Sequence, residues 1–126
     1  MMAQKPSILL VDSNATSIRF IKEVLGDRFE LMISESAEAA LFALSNRTVD
    51  LILLDTSLPR MDGIGFCRVI RNDDRYTDIG IIVQSARAMK EEINHAFQAG
   101  ANRYIVKPYD HETLMDEIGC FLPESL

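Results

Sequence analysis

Short apolar runs alternate along this chain with longer stretches in which apolar residues recur every three or four positions. Ser7–Val11 is the first run and ends at Asp12. Ser13 and Asn14 then offer N-cap oxygens, and Ile18, Ile21 and Val24/Leu25 recur at helical spacing over Ala15–Leu25, with Gly26 as the stop. Phe29–Ser34 predicts a second strand, and Ser36 can cap a helix over Ala37–Leu44. Asn46–Thr48 turn into the third strand, Leu51–Leu54, four aliphatic residues ending at Asp55. A third helix begins at Gly63 or Ile64, carries Phe66, Val69 and Ile70 on one face, and ends near Asn72 before a polar loop over Asp73–Asp78. Ile79–Gln84 predicts the fourth strand, with Ser85 at its end, and Ala88–Ala99 the fourth helix, stopped by Gly100. Arg103–Val106 is the fifth strand and runs into Lys107-Pro108; Asp110 caps a last helix with Leu114, Ile118 and Phe121 in register.

Five strands alternating with five helices predict a parallel α/β sheet covered on both faces, because right-handed crossovers place helices on either side. In such a sheet, ligands bind outside the carboxyl ends of the strands, where the strand order reverses. The residues at those ends are Asp12, Asp55, Ser85 and Lys107. Each has an ordinary explanation alone: a turn acid, a helix cap, a solvated lysine. Two carboxylates, a hydroxyl and an ammonium on one rim together suggest phosphoryl chemistry. A carboxylate can attack phosphorus to give an acyl phosphate, with Lys107 supplying charge and Ser85 an O–H donor. A hard divalent cation such as Mg²⁺ could bridge the carboxylates and the phosphoryl oxygens.

Size and charge narrow the picture further. A chain of 126 residues suits one domain over residues 1–126 that buries roughly two-thirds of its unfolded surface. The net charge is −6 and no Lys/Arg cluster exceeds two adjacent residues, which argues against direct nucleic-acid binding. No apolar run approaches the roughly 20 residues that span a bilayer. The Met1–Pro6 segment lacks the apolar core of a signal peptide, so the cytoplasm is the expected location. Cys67 and Cys120 lie far apart in helical patterns and read as small, reduced core or near-core residues. His95 and His111 are isolated, without a second ligand at helical spacing.

Val11-Asp12, Asp55-x-x-Leu58-Pro59-x-Met61-Asp62-Gly63, Ser85-Ala86 and Tyr104-x-x-Lys107-Pro108 resemble, in order and over nearly the whole chain, the CheY-like receiver domain of two-component response regulators. The resemblance implies a three-layer flavodoxin-like (βα)5 fold with strand order 2-1-3-4-5. It implies that Asp55 accepts phosphate from phosphohistidine on a sensor histidine kinase or histidine phosphotransfer protein. Ser85 and Lys107 would contact the phosphoryl group, Ser57 would offer a backbone carbonyl to the metal, and Lys107–Pro108 would be cis. Such a domain promotes its own phosphotransfer and dephosphorylation without turning over a separate substrate. Ser85 and Tyr104 would carry the switch to an unnamed downstream protein or effector domain through the surface of the fourth helix, fifth strand and fifth helix. Met89, Tyr104 and Met115 are candidates on that surface. The kinase would dock against the first helix, with Ile18 as an anchor or a core residue. Arg87 and Ser57 flank the entry to the phosphoryl group and would modulate the lifetime of the signal.

One position departs from the pattern. Receivers usually carry two adjacent acids after the first strand, the second a direct metal ligand, and this chain has Asp12-Ser13. At an effective dielectric near 20, a charge pair about 4 Å apart is worth roughly 4 kcal/mol before desolvation. A residual loss of about 1.4 kcal/mol already weakens binding about tenfold. Mg²⁺ is therefore expected to bind weakly, with water or the Ser13 hydroxyl in the vacated position. The departure also keeps a second reading open, a pseudo-receiver that acts as a phosphorylation-independent interaction module. A haloacid-dehalogenase-like phosphatase is a distant third, since it wants an Asp where this chain has Ser57.

Overall fold

The computed structural model describes residues 5–122, so part of the N-terminal segment weighed above as a leader, residues 1–4, lies outside it. Five strands, β1 (Ser7–Val11), β2 (Glu30–Ser34), β3 (Leu51–Asp55), β4 (Gly80–Ser85) and β5 (Arg103–Val106), form one parallel sheet in the order β2-β1-β3-β4-β5. Between and after them come α1 (Ala15–Leu25), α2 (Ala37–Asn46), α3 (Gly63–Arg71), α4 (Lys90–Gln98) and α5 (His111–Gly119). This is the doubly wound, flavodoxin-like arrangement expected from the alternation and the resemblance together.

The two-residue period of the strands sorts their side chains onto two faces. Leu9, Val11, Ile52, Leu54, Ile81 and Val83 pack with Ala37, Ala40, Phe66, Ile70 and Ala96 from α2, α3 and α4. Ile8, Leu10, Leu51, Leu53 and Ile82 pack on the other face with Ile21, Leu25, Leu114 and Ile118 from α1 and α5. Every residue of β1, β3 and β4 is buried, as the continuous apolar runs require.

Four helices begin on a side-chain cap, three of them on residues read as caps from the sequence and the fourth, α3, on Asp62, which was not. Asn14, Ser36, Asp62 and Asp110 each accept a hydrogen bond from the backbone N–H three residues on. Helix α4 differs: Ala88 and Met89 precede it, and Met89 caps it with no side-chain bond. Helical propensity made Ala88 the expected start, but no Ser, Thr, Asp or Asn stands there to hold the first N–H groups. The fourth strand is shifted one residue along, because Ser85 still pairs, opposite Val106. A 3-10 turn, Asp74–Tyr76, interrupts the loop after α3, started by the Asp73 carboxylate on the Arg75 N–H. Cys67 is buried as expected, whereas Cys120 is exposed just past the end of α5. Met115 is buried against the sheet, which removes it from the surface proposed for signalling; Met89 stays exposed. Ile18 is half-buried against the α1 side of the core.

Candidate functional site

The switch between the inner strands, β1 and β3, and the crossover to β4 leave one rim at the carboxyl end of the sheet. Asp12 follows β1 directly, its N–H donating to the Ser34 carbonyl at 3.0 Å, and is fully buried. Asp55 is the last residue of β3 and lies opposite Gln84. Lys107 leaves β5 with its N–H on the Ser85 carbonyl at 2.8 Å, next to a cis Lys107–Pro108 bond. The geometry thus gathers three of the four strand-end residues by direct contact. Lys107 Nζ donates to Asp12 Oδ2 at 3.2 Å, Asp55 Oδ2 at 3.3 Å and Ser17 Oγ at 2.9 Å. An ammonium has three hydrogens, and all three have an oxygen here.

Ser85 joins the rim through its neighbours. Thr56 Oγ1 donates to Ser85 Oγ at 2.8 Å, and the Arg87 N–H donates to the same oxygen at 3.1 Å. With that oxygen accepting twice, its own hydrogen is free to turn into the rim. The peptide carbonyl of Arg87 in turn accepts the Tyr104 hydroxyl at 2.7 Å. Residue 87 therefore ties Ser85 to Tyr104, while its guanidinium lies 3.8 Å from Glu92. Ser57 is exposed, its N–H 3.4 Å from Asp55 Oδ1, which is the only hydrogen bond that oxygen receives among the described residues.

Asp12 is more fully held. Its Oδ1 accepts the Asn14 N–H at 2.9 Å, and its Oδ2 takes Lys107 and, at 3.5 Å, Gln84 Nε2. Burial pushes the Asp12 carboxyl above its ordinary range; the Asn14 N–H and Lys107 pull it back, and the Asp55 charge pushes it up again. A carboxyl raised in the folded state gives stability that is complete below its unfolded pKa and is lost as pH rises through the folded value. Asp12 thus carries its charge at a cost to the fold.

Among the described residues no group of three or more His, Cys, Asp or Glu side chains is placed to hold a metal ion. The donors that the structure does bring together are nonetheless hard oxygens, those of two adjacent carboxylates sharing a lysine. That set fits Mg²⁺, which keeps several waters and needs one or two carboxylates. Sequence reasoning missed Ser17, Thr56, Gln84 and Tyr109. Of these only Gln84 left a signal, a polar residue inside an apolar strand.

Comparison with known proteins decides the family. The family model of the response regulator receiver domain matches residues 8–119. The chain belongs to this family. It is 35% identical over 116 residues to the chemotaxis protein CheY of Pseudomonas aeruginosa, covering 88% of this chain and 91% of that protein. It is 34% identical to CheY-3 of Vibrio cholerae, over 88% of this chain and 87% of the relative. A putative response regulator from Chloroflexus aurantiacus superposes with a TM-score of 0.90 at 26% identity, over 95% of this chain and 99% of its own. The receiver domain of the sensor histidine kinase PA1611 from P. aeruginosa superposes at 0.87 with 26% identity, over 95% and 99%, and holds a magnesium ion in its active-site cleft. This chain is therefore a receiver domain, a module of two-component signalling. Among the described residues, no helix of this receiver is long and apolar enough to cross a membrane.

Proposed function

We propose that this receiver takes a phosphoryl group from a phosphohistidine onto Asp55. The observation that carries the reading is the unequal treatment of the two Asp55 oxygens. Lys107 Nζ holds Oδ2 at 3.3 Å, while Oδ1 has only the long contact from the Ser57 N–H. The less engaged oxygen attacks phosphorus. The P–N bond breaks, its electron pair stays on the imidazole nitrogen, and an acyl phosphate forms on Asp55. This adds roughly one negative charge. Lys107 is placed to meet that charge, and the free hydrogen of Ser85 to reach a phosphoryl oxygen. Asp12, Asp55 and the Ser57 carbonyl, with water or the Ser13 hydroxyl, would hold Mg²⁺, which neutralises charge on the transferring group when bound. Hydrolysis by water returns the carboxylate, so the domain promotes its own loading and unloading and turns over no separate substrate. Arg87 and Ser57 stand at the entry that water uses.

The donor is a sensor histidine kinase or a histidine phosphotransfer protein. A groove of about 510 Å³ beside Lys107, lined by Thr16, Ser17, Phe20, Ala86, Pro108 and Tyr109, gives its histidine-bearing segment an apolar seat next to α1. The signal leaves by the Ser85–Arg87–Tyr104 chain of hydrogen bonds. A shift of Ser85 toward the phosphoryl group pulls on the Arg87 peptide and so on Tyr104, which biases the α4–β5–α5 surface toward a downstream partner.

The test is to incubate the protein with acetyl phosphate and Mg²⁺ and weigh it. A mass gain of one phosphoryl group, labile to hydroxylamine and absent from Asp55→Asn, is expected. No gain would favour the phosphorylation-independent module, a reading the structure supports at one point: Lys107 already occupies both carboxylates. Ser13→Asp supplies the acid missing from the rim and is expected to tighten Mg²⁺ binding about tenfold by calorimetric titration, the equivalent of about 1.4 kcal/mol. An unchanged affinity would mean that water serves the vacated position as well as a carboxylate.

A further inference from the structure

Strand β4 reads Gly-Ile-Ile-Val-Gln-Ser, and all of it is buried. An amide side chain in such a strand brings donors and an acceptor out of water, and each left unpaired costs about 1–3 kcal/mol. Gln84 is fully buried and finds partners for both ends of its amide. Its Oε1 accepts a hydrogen bond from the Tyr109 hydroxyl, and its Nε2 donates to Asp12 Oδ2 at 3.5 Å. The orientation is not free. Turned over, the amide would set its carbonyl oxygen against the Asp12 carboxylate. Burial, reinforced by the Asp12 and Asp55 charges, disfavours the Tyr109 phenolate, so the hydroxyl remains a donor. The chain of donors therefore runs one way, from Tyr109 through Gln84 to Asp12.

The anchor is itself fixed. The Tyr109 ring meets Phe20 of α1 edge-on, with centroids 5.7 Å apart, and lines the groove beside Lys107. Neither Gln84 nor Tyr109 touches Asp55 by a hydrogen bond, so neither is part of the reacting group. What they determine is the attitude of Asp12. Its Oδ1 is set by the Asn14 N–H, and its Oδ2 would otherwise answer to the flexible ammonium of Lys107 alone.

We infer that Gln84 is a positioning residue for Asp12, anchored by the Tyr109 hydroxyl, and that this pair pre-sets the first-strand carboxylate for a divalent cation. The inference rests on the reading of Asp12 as a metal ligand beside the acceptor. It assigns a compensation for Ser13: where a second acid is missing, the remaining one is held by a partner from the next-but-one strand. Groups that orient a metal ligand typically change metal affinity 10–100-fold when lost.

The experiment is calorimetric titration of the unphosphorylated protein with MgCl₂, in wild type, Gln84→Met, Tyr109→Phe and the double variant. Methionine fills the same volume in an apolar strand, and thermal melts without metal check that each variant folds. Gln84→Met is expected to weaken Mg²⁺ binding about tenfold. Tyr109→Phe should weaken it in the wild-type background and have no further effect in the Gln84→Met background. Affinity within twofold of wild type in Gln84→Met, effects that multiply in the double variant, or no Mg²⁺ binding by the wild type would each overturn the inference. Because no phosphodonor is present, failure of Asp55 to accept a phosphoryl group would leave these affinities readable, and the two readings fall separately.

Discussion

Lys107→Met is expected to slow phosphorylation of Asp55 by acetyl phosphate by about 100- to 1,000-fold and at the same time to tighten Mg²⁺ binding. The two effects have opposite sign because the ammonium has two competing roles. At rest it is the cation between the carboxylates, 3.2 Å from Asp12 and 3.3 Å from Asp55. A divalent ion entering the rim meets a like charge there, so removing the ammonium favours the metal. Once the phosphoryl group arrives, the same ammonium answers the charge that develops on its oxygens. Losing one preorganised group of that kind typically costs 10²–10³ in rate. Methionine keeps the unbranched apolar stem of the side chain and removes only its charged end, so the packing beside Ser85 is retained. Rates are read by mass at saturating Mg²⁺, and affinity by calorimetry of the unphosphorylated chain. Weaker metal binding in Lys107→Met would show that the lysine organises the carboxylates rather than competing for them. An unaltered rate would remove it from the reaction.

The same rim shows which features of the chain were legible beforehand. Asp12, Asp55 and Lys107 each terminate an apolar run, and a charge at the tip of a buried strand stands out in any reading of hydrophobic pattern. The sheet's faces follow from the same runs, since Ile8 and Leu10 must oppose Leu9 and Val11. The strand order did not follow from alternation and came from the resemblance. Ser17 and Tyr109 were not legible because their roles come from chain segments brought together by the crossovers: Ser17 meets Lys107, 90 residues on. Thr56 was hidden by its neighbour, although its hydroxyl is what joins Ser85 to the third strand. Gln84 is a polar residue at the apparent end of an apolar run, but the strand continues through Ser85 and so holds the amide inside the sheet. Met115 shows the limit of helical spacing: the residue after Leu114 belongs to the buried face as much as Leu114 does.

Gly63→Ala is expected to destabilise the fold by about 3 kcal/mol and to impair phosphoryl uptake with it. The backbone at Gly63 does not itself call for glycine, since its φ is not positive. What requires glycine is proximity. A Cβ at this position would lie 2.3 Å from the Asp55 carbonyl oxygen, 2.8 Å from Thr56 Cα and 3.0 Å from the Asp55 carbonyl carbon. All three are backbone atoms and cannot rotate away. The Gly63 N–H also donates to the Thr56 carbonyl at 3.0 Å, so the start of α3 is drawn onto the end of β3. Relief comes only by moving one against the other. Overpacking of this kind costs about 1–3 kcal/mol where side chains yield, and backbone collisions belong at the upper end or beyond. The displaced segment carries Asp55 and Thr56, hence the acceptor and the hydrogen bond to Ser85. Gly65→Ala, two residues on, is the matched control. Its Cβ would meet the Asp62 carboxylate at 3.2 Å and Met61 Cγ at 3.5 Å, both movable, and alanine regains up to about 1 kcal/mol of helix propensity. Urea titration should show a lower midpoint at unchanged slope for Gly63→Ala and a midpoint near wild type for Gly65→Ala. Equal midpoints for the two variants would mean that the β3–α3 junction yields, and that the position of Asp55 does not depend on the missing side chain.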